Sequence, residues 1–564
     1  MPPFFGASSW FRKPSETLSI HDGLFQIGCQ AYHILVREPG EPPGAAERLL
    51  KQNGTATSAD QVVVLIPSQK PTSMRGRLSQ ILDRGTSLPS DDYDDWESRY
   101  MMRTDFDDFG DKHNEMWGQK GWFKPSCVPI SIILVLIVLV VLLPLLDHAD
   151  RQAQAAAQVD WDSLRKCQAE CRFSLVESIP DGMSYRNGTT PYPSTFAVWS
   201  EMLAKATATI EIASYYWTLT DGTAGKFPTG VQGQQIFDAI LLAGTKRKLT
   251  VKIAQNYPSQ SQPNKDTEVL VREKAAEVRS LNFPRLIGSG ILHTKLWLVD
   301  RRHAYIGSAN SDWRSLTEVK EMGIYVQDCP CVTDDIGKLF DVYWMMGAEG
   351  AQIPDKWPDS LSTPYNEETP MNLSTNGLVY LSSSPPQFCT KGRTGDGNAI
   401  TSTILKANKF IFIAVMDYFP TFIYTSKPRY WADIDTALRT AALDNSVEIR
   451  LLVSWWSHSR ESEKLFLRSL TDISDGLKVN ITVKLFVVPS TAEQRKIPYA
   501  RVNHNKYMVT DNTAYIGTSN WSGDYFTVTG GVGVVVEGIT ELRQQLEEVF
   551  LRDWNSEFAY NLPR

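Results

Sequence analysis

Hydrophobic and polar positions change character twice along the chain. Residues 1 to 126 show no sustained apolar period, are rich in Pro, Gly, Ser and Asp, and include the acidic stretch DDYDDWESRYMMRTDFDDFGD at 91 to 111. A segment this polar cannot bury enough surface to offset its chain entropy, so a disordered tail is predicted. Residues 127 to 146, CVPISIILVLIVLVVLLPLL, carry no charge, and at about 1.5 Å per residue they reach roughly 30 Å, the thickness of a hydrocarbon core. A helix buried in a soluble core keeps a polar face, and this run has none; one transmembrane helix is predicted.

Beyond an Ala/Gln-rich stem at 151 to 160, apolar runs of strand length alternate with helix-period stretches, and the alternation occurs twice in the same order. IEIAS (210 to 214) matches IFIAV (411 to 415), and LTVKIAQ (249 to 255) matches VEIRLLV (447 to 453); each reads as a buried strand. Between the members of each pair lies a helical period, IFDAILLAG from 236 and WADIDTALRTAA from 431. HTKLWLVDRRHAYIGSAN (293 to 310) then matches HNKYMVTDNTAYIGTSN (504 to 520). Last, Ile336, Phe340 and Trp344 match Leu546, Phe550 and Trp554, each trio spaced by four along one helical face. The expected fold is α/β: two duplicated halves, each a mixed sheet flanked by helices, with the functional site at their pseudo-two-fold interface. The expected division is a tail (1-126), a membrane helix (127-146), a stem and lead-in (147-195), a first half (196-360) and a second half (361-564).

Charge and cysteine placement add orientation. Lys112, Lys120 and Lys124 precede the apolar run, whereas Asp147, His148 and Asp150 follow it. The positive-inside rule therefore puts the N-terminus in the cytosol and the bulk of the chain in the lumen. The first residues, MPPFFGASSWFRKPSETLSI, lack the apolar core of a cleaved signal, so the span serves as signal-anchor. The sequons at Asn187, Asn372 and Asn480 lie on the lumenal side and are expected to be glycosylated; Asn53 lies on the cytosolic side and is expected to stay bare. Among five lumenal cysteines, Cys167 and Cys171 are expected to form disulfides with Cys329 and Cys331, leaving Cys389 unpaired. Zinc is the alternative for those four, disfavoured by an oxidising lumen and by a Cys-Pro-Cys spacing too tight for a zinc ribbon. A net charge of -7 excludes a generally basic protein, so contact with a polyanion would need a local cationic cluster. Tyr32 to Leu35 has the form of a Tyr-x-x-apolar sorting signal.

The chemistry is concentrated in the third matching block. Alternation on a strand puts His293 and Lys295 on one face, and His504 and Lys506 likewise. Four histidines follow the stem, and two of them occupy equivalent places in the repeat. Two imidazoles, two ammonium groups and two turns bearing Asn310 and Asn520 suit a phosphodiester. One neutral imidazole attacks phosphorus, the other gives its proton to the leaving oxygen, and the cations and amides hold the nonbridging oxygens. No metal or other cofactor is required. Asp300 and Asp511, of opposite strand parity to the lysines, are expected to support the loop. Tyr215, Tyr216, Trp217, Trp455, Trp456 and the run Trp521 to Phe526 are expected to pack mostly in the core, with some free to stack on nucleobases. Asn520 is formally a sequon, but its place in the site predicts no glycan.

The motif His-x-Lys-x4-Asp followed by Gly-[Ser/Thr]-x-Asn, present twice, resembles the signature of the phospholipase D superfamily. The second copy has five rather than six residues between Asp511 and Gly517, implying a shorter loop. The stretches SANSDWRSLTEVKE (308 to 321), IPYARVNHNKYMVT (497 to 510) and YIGTSNWSGDYF (515 to 526) are similar to those of the type II endolysosomal branch. That resemblance implies His293, Lys295, Asp300, His504, Lys506 and Asp511 as the catalytic signature set, supported by Ser308, Asn310, Thr518 and Asn520. It also implies a 5′-to-3′ exonuclease of single-stranded DNA or RNA, acting through a phosphohistidine, that passes through the endoplasmic reticulum and Golgi to late endosome and lysosome. Phospholipid is the alternative substrate, a noncatalytic scaffold the alternative of another class, and a homodimer a further expected partner state. Eleven residues after Asn310 stands Glu321, where the family often has a carboxylate that orients a histidine; eleven after Asn520 stands Gly531. The expectation is that Glu321 orients His293 as nucleophile and that His504 is the general acid, with one imidazole pKa depressed so that the base works in an acidic compartment.

Overall fold

The computed structural model describes three short strands before residue 70, then residues 161 to 563 apart from 187, 189 to 191, 222 to 226 and 374 to 376. The apolar run 127 to 146, the stem, Asn53 and Asn187 lie outside the described residues. Among the described residues no helix is long and apolar enough to cross a membrane. The chain divides into two compact units, 1 to 122 and 123 to 564.

In the first unit, β1 (Leu24–Ile27) pairs antiparallel with β2 (Gln30–Arg37), which pairs parallel with β3 (Val63–Pro67). These strands depart from the irregular tail expected over those residues. QAYHILVR and VVLIP are locally apolar and β-branched although their surroundings are not, and tail-wide composition hides this. The sorting-type segment Tyr32 to Leu35 lies within β2.

The second unit opens with helix α1 (Trp161–Glu170) and strand β4 (Arg172–Ser178), followed by α2 (Thr195–Lys205), β5 (Thr209–Ser214), α3 (Val231–Thr245), β6 (Thr250–Asn256) and β7 (Glu277–Leu281). Next come β8 (Leu296–Val299), β9 (His303–Gly307), α4 (Trp313–Thr317), β10 (Glu321–Gln327) and α5 (Pro330–Met346). The elements recur as β11 (Leu378–Ser384), α6 (Asp396–Leu405), β12 (Phe410–Val415), α7 (Asp433–Asp444), β13 (Glu448–Ser454), α8 (Glu461–Leu477) and β14 (Ile481–Phe486). They close with β15 (Lys506–Thr510), β16 (Thr513–Gly517), α9 (Gly523–Thr527), β17 (Gly531–Glu537), α10 (Thr540–Trp554) and β18 (Ala559–Asn561).

The first sheet runs β4-β10-β9-β8-β5-β6-β7; the second runs β11-β17-β16-β15-β12-β13-β14 and then adds β18. Polarities repeat as well. The first four neighbours in each series pair antiparallel, and the last two steps, β5-β6-β7 and β12-β13-β14, are parallel. The duplication read from the sequence is therefore a duplication of strand order. The first sheet takes its edge strand from Arg172–Ser178, inside the segment expected to be lead-in.

Layering follows from which faces are apolar. One core lies between the sheets, where Leu296, Leu298 and Ile306 face Phe412, Val509 and Val534, and helices α5 and α10 contribute Ile336, Phe340, Leu546 and Phe550. The predicted trios hold: Phe340 stacks on Trp344 and Phe550 on Trp554, at 5.8 and 5.5 Å between centroids. Two further cores cover the outer faces, one under α2 and α3 and the other under α6, α7 and α8. A buried ionic cluster joins the halves. The Lys320 ammonium bonds Glu177 at 2.8 Å and Asp553 at 2.9 Å, and Arg552 bonds Glu177 from the second half. The four expected cysteines pair as Cys167–Cys331 and Cys171–Cys329, tying α1 to the N-terminus of α5, and Cys389 is free. The sequon residues Asn372 and Asn480 are exposed, whereas Asn520 is buried.

Candidate active site

Each histidine motif enters its sheet at the mouth of a hairpin. His293 and Lys295 lie in the extended segment just before β8, and Lys506 is the first residue of β15. The segments are held from across the molecule, symmetrically. The amide of His293 donates to the Gly530 carbonyl and that of Gly530 to Ile291 (both 2.8 Å); the amide of His504 donates to the Lys320 carbonyl (2.8 Å) and that of Lys320 to Val502 (3.0 Å). Each half's histidine segment is thus paired with the lead-in to β10 or β17 of the other half. This brings both histidines, Asn310 and Asn520 to one cleft of about 550 Å³, also lined by Tyr215, Glu321 and Tyr525.

That interlock corrects the expected partner of Glu321. Residue 321 directly follows the Lys320 that grips the His504 segment, so its carboxylate reaches His504, with Oε2 2.9 Å from Nδ1. His293 has no carboxylate there. Its Nδ1 lies 3.0 Å from the Thr518 carbonyl oxygen, because the position related to Glu321 is Gly531, where even an added Cβ would lie 2.2 Å from Ser519 Oγ. A carbonyl oxygen only accepts, so Nδ1 of His293 carries the proton, and in the neutral ring the lone pair sits on Nε2. Ser315 Oγ donates to the other oxygen of Glu321 at 2.8 Å and fixes the carboxylate.

Electrostatics separates the two imidazoles. Burial, then the nearby Lys295 and Lys506 cations, hold the His293 pKa well below its ordinary value. Burial also lowers that of His504, but the Glu321 carboxylate works against it. Both lysines are buried, and each ammonium donates to the carbonyl of its own motif's histidine, Lys295 to His293 at 2.5 Å and Lys506 to His504 at 2.7 Å. Burial brings Lys506 down to about 7.

The remaining signature residues are scaffolding. Asp300 accepts from the amides of Thr207, Ala208 and Thr209 (2.6, 2.8 and 2.7 Å) and from the Thr207 hydroxyl (2.7 Å), tying the β8–β9 turn to the start of β5. Asp511 accepts from the amides of Asn408 and Lys409 in the same way. Neither lines the cleft, as their strand parity suggested. The shorter second loop is visible too, since Asp300 and Arg301 both take positive φ in the first turn and Asp511 does not. Ser308 and Thr518 accept from the amides of Met322 and Val532 (both 2.9 Å), pinning the starts of β10 and β17.

Sequence reasoning missed Asp417 and Glu463. The Asn520 amide donates to Asp417 at 2.9 Å, whereas its counterpart Asn310 reaches the Tyr216 hydroxyl at 3.4 Å. Glu463 accepts from the Tyr418 amide at 2.7 Å. Burial pushes Asp417 up to about 6 and Glu463 up to about 9, the latter helped by Asp417. The available signal was positional: Asp417 follows IFIAV where Tyr216 follows IEIAS. Among the aromatics, Trp217 and Trp521 are buried, as expected of core residues, while Tyr215, Tyr216, Trp456 and Tyr525 line the cleft. Rings of Tyr215 and Tyr525 flank His293 at 5.4 and 5.0 Å.

Comparison with known proteins is consistent with this geometry. The profile of a family described as "PLD3/4, PLD-like domain" matches residues 189 to 491. Over 405 residues the chain is 48% identical to a Xenopus laevis protein named 5′-3′ exonuclease PLD3, covering 70% of this chain and 82% of that one. The Homo sapiens protein of the same name is 45% identical over 403 residues, with 70% and 82% covered. A Caenorhabditis elegans protein named probable phospholipase D F09G2.8 is 42% identical over 450 residues, covering 78% of each.

Proposed function

This chain belongs to the PLD-like domain family of PLD3 and PLD4, within the phospholipase D superfamily, and from that premise we propose that it is a 5′-to-3′ exonuclease of single-stranded nucleic acid. The observation that carries the reading is the asymmetric pair of imidazoles in one cleft, His293 on a carbonyl and His504 on a carboxylate.

The proposed chemistry balances in two steps. Nε2 of neutral His293 attacks phosphorus, and the bond to the 5′ oxygen of the remaining strand breaks. His504, whose positive charge Glu321 supports, gives its proton to that oxygen. A phosphohistidine carrying the terminal nucleotide results. His504, now neutral, takes a proton from water as the water attacks phosphorus, releasing a nucleotide 3′-phosphate and restoring both histidines. Lys295, Lys506, Asn310 and Asn520 stabilise the charge on the nonbridging oxygens. The roles of the histidines are those the sequence suggested, with the reason reversed: Glu321 supports the acid rather than orienting the nucleophile.

The exposed sequons at Asn372 and Asn480 and the paired cysteines support a lumenal catalytic region. With the apolar run at 127 to 146 they favour a type II membrane protein with a cytosolic tail, acting in late endosome and lysosome. Depressed histidine pKa values suit that compartment. The full-length chain, given a 5′-hydroxyl oligonucleotide and, separately, phospholipid vesicles, is expected to release 3′-phosphonucleotides, and His293→Ala to abolish the release. Headgroup release from the vesicles with no nuclease would establish the phospholipid alternative instead.

A further inference from the structure

The loop before His504, Ile497 to Arg501, is fastened to the first half almost everywhere. Ile497 and Ala500 pack with Trp313 in a small core of their own. Arg314 Nη1 donates to the Pro498 carbonyl at 3.0 Å. Arg501 bonds the Glu318 carboxylate at 3.2 Å and the Asp181 carbonyl at 3.0 Å.

Tyr499 is the exception. It is 62% exposed, and its φ of +57° is a left-handed conformation that a bulky L-residue adopts only where its surroundings impose it. The side chain is not idle. Its ring stacks on His458 at 4.8 Å and 14° between planes, and His458 meets Trp456 edge-on at 4.7 Å. All three residues line the cleft that holds the catalytic histidines. A rigid loop thus presents one strained, solvent-facing aromatic to the substrate cleft.

The shelf stands on a particular side. Trp456 and His458 leave the end of β13, where Ser454 Oγ accepts from the amide of Asn503, the residue before His504, at 3.1 Å. The His293 side is lined instead by Tyr215 and Tyr525. His504 faces the leaving oxygen in the proposed reaction, so the shelf lies beside the strand that leaves.

We propose that Tyr499, backed by His458 and Trp456, stacks the first base of the leaving strand, the second nucleotide from the 5′ end. This rests on the exonuclease reading above. An aromatic face accepts any base, which makes the contact a grip on single strands rather than a sequence reader.

The test is a cycle between protein and substrate. kcat/KM of the full-length chain is measured on a 5′-hydroxyl oligodeoxynucleotide and on the same strand with an abasic second position. On the intact strand, Tyr499→Ala is expected to lower kcat/KM about 10-fold, and Tyr499→Phe, which keeps the ring, to restore most of it. Removing the second base is expected to cost the wild type about as much, with Tyr499→Ala adding no further loss. An equal loss on both substrates, or no loss on either, overturns the shelf alone. No cleavage of either strand by the wild type overturns the exonuclease reading and this inference with it.

Discussion

At the residue scale, two histidines of identical motif are made different by what stands behind Nδ1. Glu321 holds the proton affinity of His504 up against burial, while His293 has burial and two ammonium groups acting in the same direction, downward. The sign for pH follows directly. In the proposed reaction His293, as nucleophile, is competent until pH falls through its depressed pKa, and His504, as acid, until pH rises through its own, which lies below the ordinary histidine value. The kcat/KM profile is therefore a bell whose alkaline limb falls on the acidic side of that value. Glu321→Gln removes the charge that raises the His504 pKa and is expected to move the alkaline limb to lower pH, leaving the acid limb in place. A limb that stayed put, or moved up, would contradict the assignment. The sequence showed that Glu321 and Gly531 differ but not which histidine feels the difference. Spacing along one chain carries no information about a pairing made across two halves.

At the element scale, the hairpins β8–β9 and β15–β16 carry the motifs, and the aspartates of the signature fasten those hairpins rather than touch the cleft. Parity alone made this legible: Asp300 stands five positions after Lys295, an odd offset that takes it off the lysine's face. Asp300→Ala leaves three backbone amides and a hydroxyl without their acceptor. A loss of about 2 kcal/mol of stability is expected by denaturant titration, with a pH profile unchanged in shape; a shifted profile would return Asp300 to the chemistry. The parts of the elements that were not legible were those whose cause is tertiary. The edge strand Arg172–Ser178 is recruited by β10, and although the repeat marks the position of Asp417, its hydrogen bond to Asn520 is made only by the tertiary fold.

At the scale of the whole molecule, the repeat read from apolar runs became two sheets of the same order and polarity around a shared core. Duplication was legible because buried strands and helix faces must be apolar at fixed periods in both copies. The buried cluster of Lys320, Glu177, Asp553 and Arg552 was not, since four charges spread over almost the whole of the second unit have no local pattern. What the assembly achieves is to bring each half's histidine segment against the other half, so that one cleft holds a histidine from each copy, in the proposed reaction the nucleophile from the first and the acid from the second. Trapping the covalent intermediate tests this division of labour most directly. His504→Ala is given a nucleotide 3′-phosphate ester with an activated leaving group, which needs no acid to depart, quenched, and mapped by mass spectrometry. A phosphonucleotidyl adduct on His293 is expected. An adduct on His504 in His293→Ala, with none on His293 in the converse variant, would contradict the account.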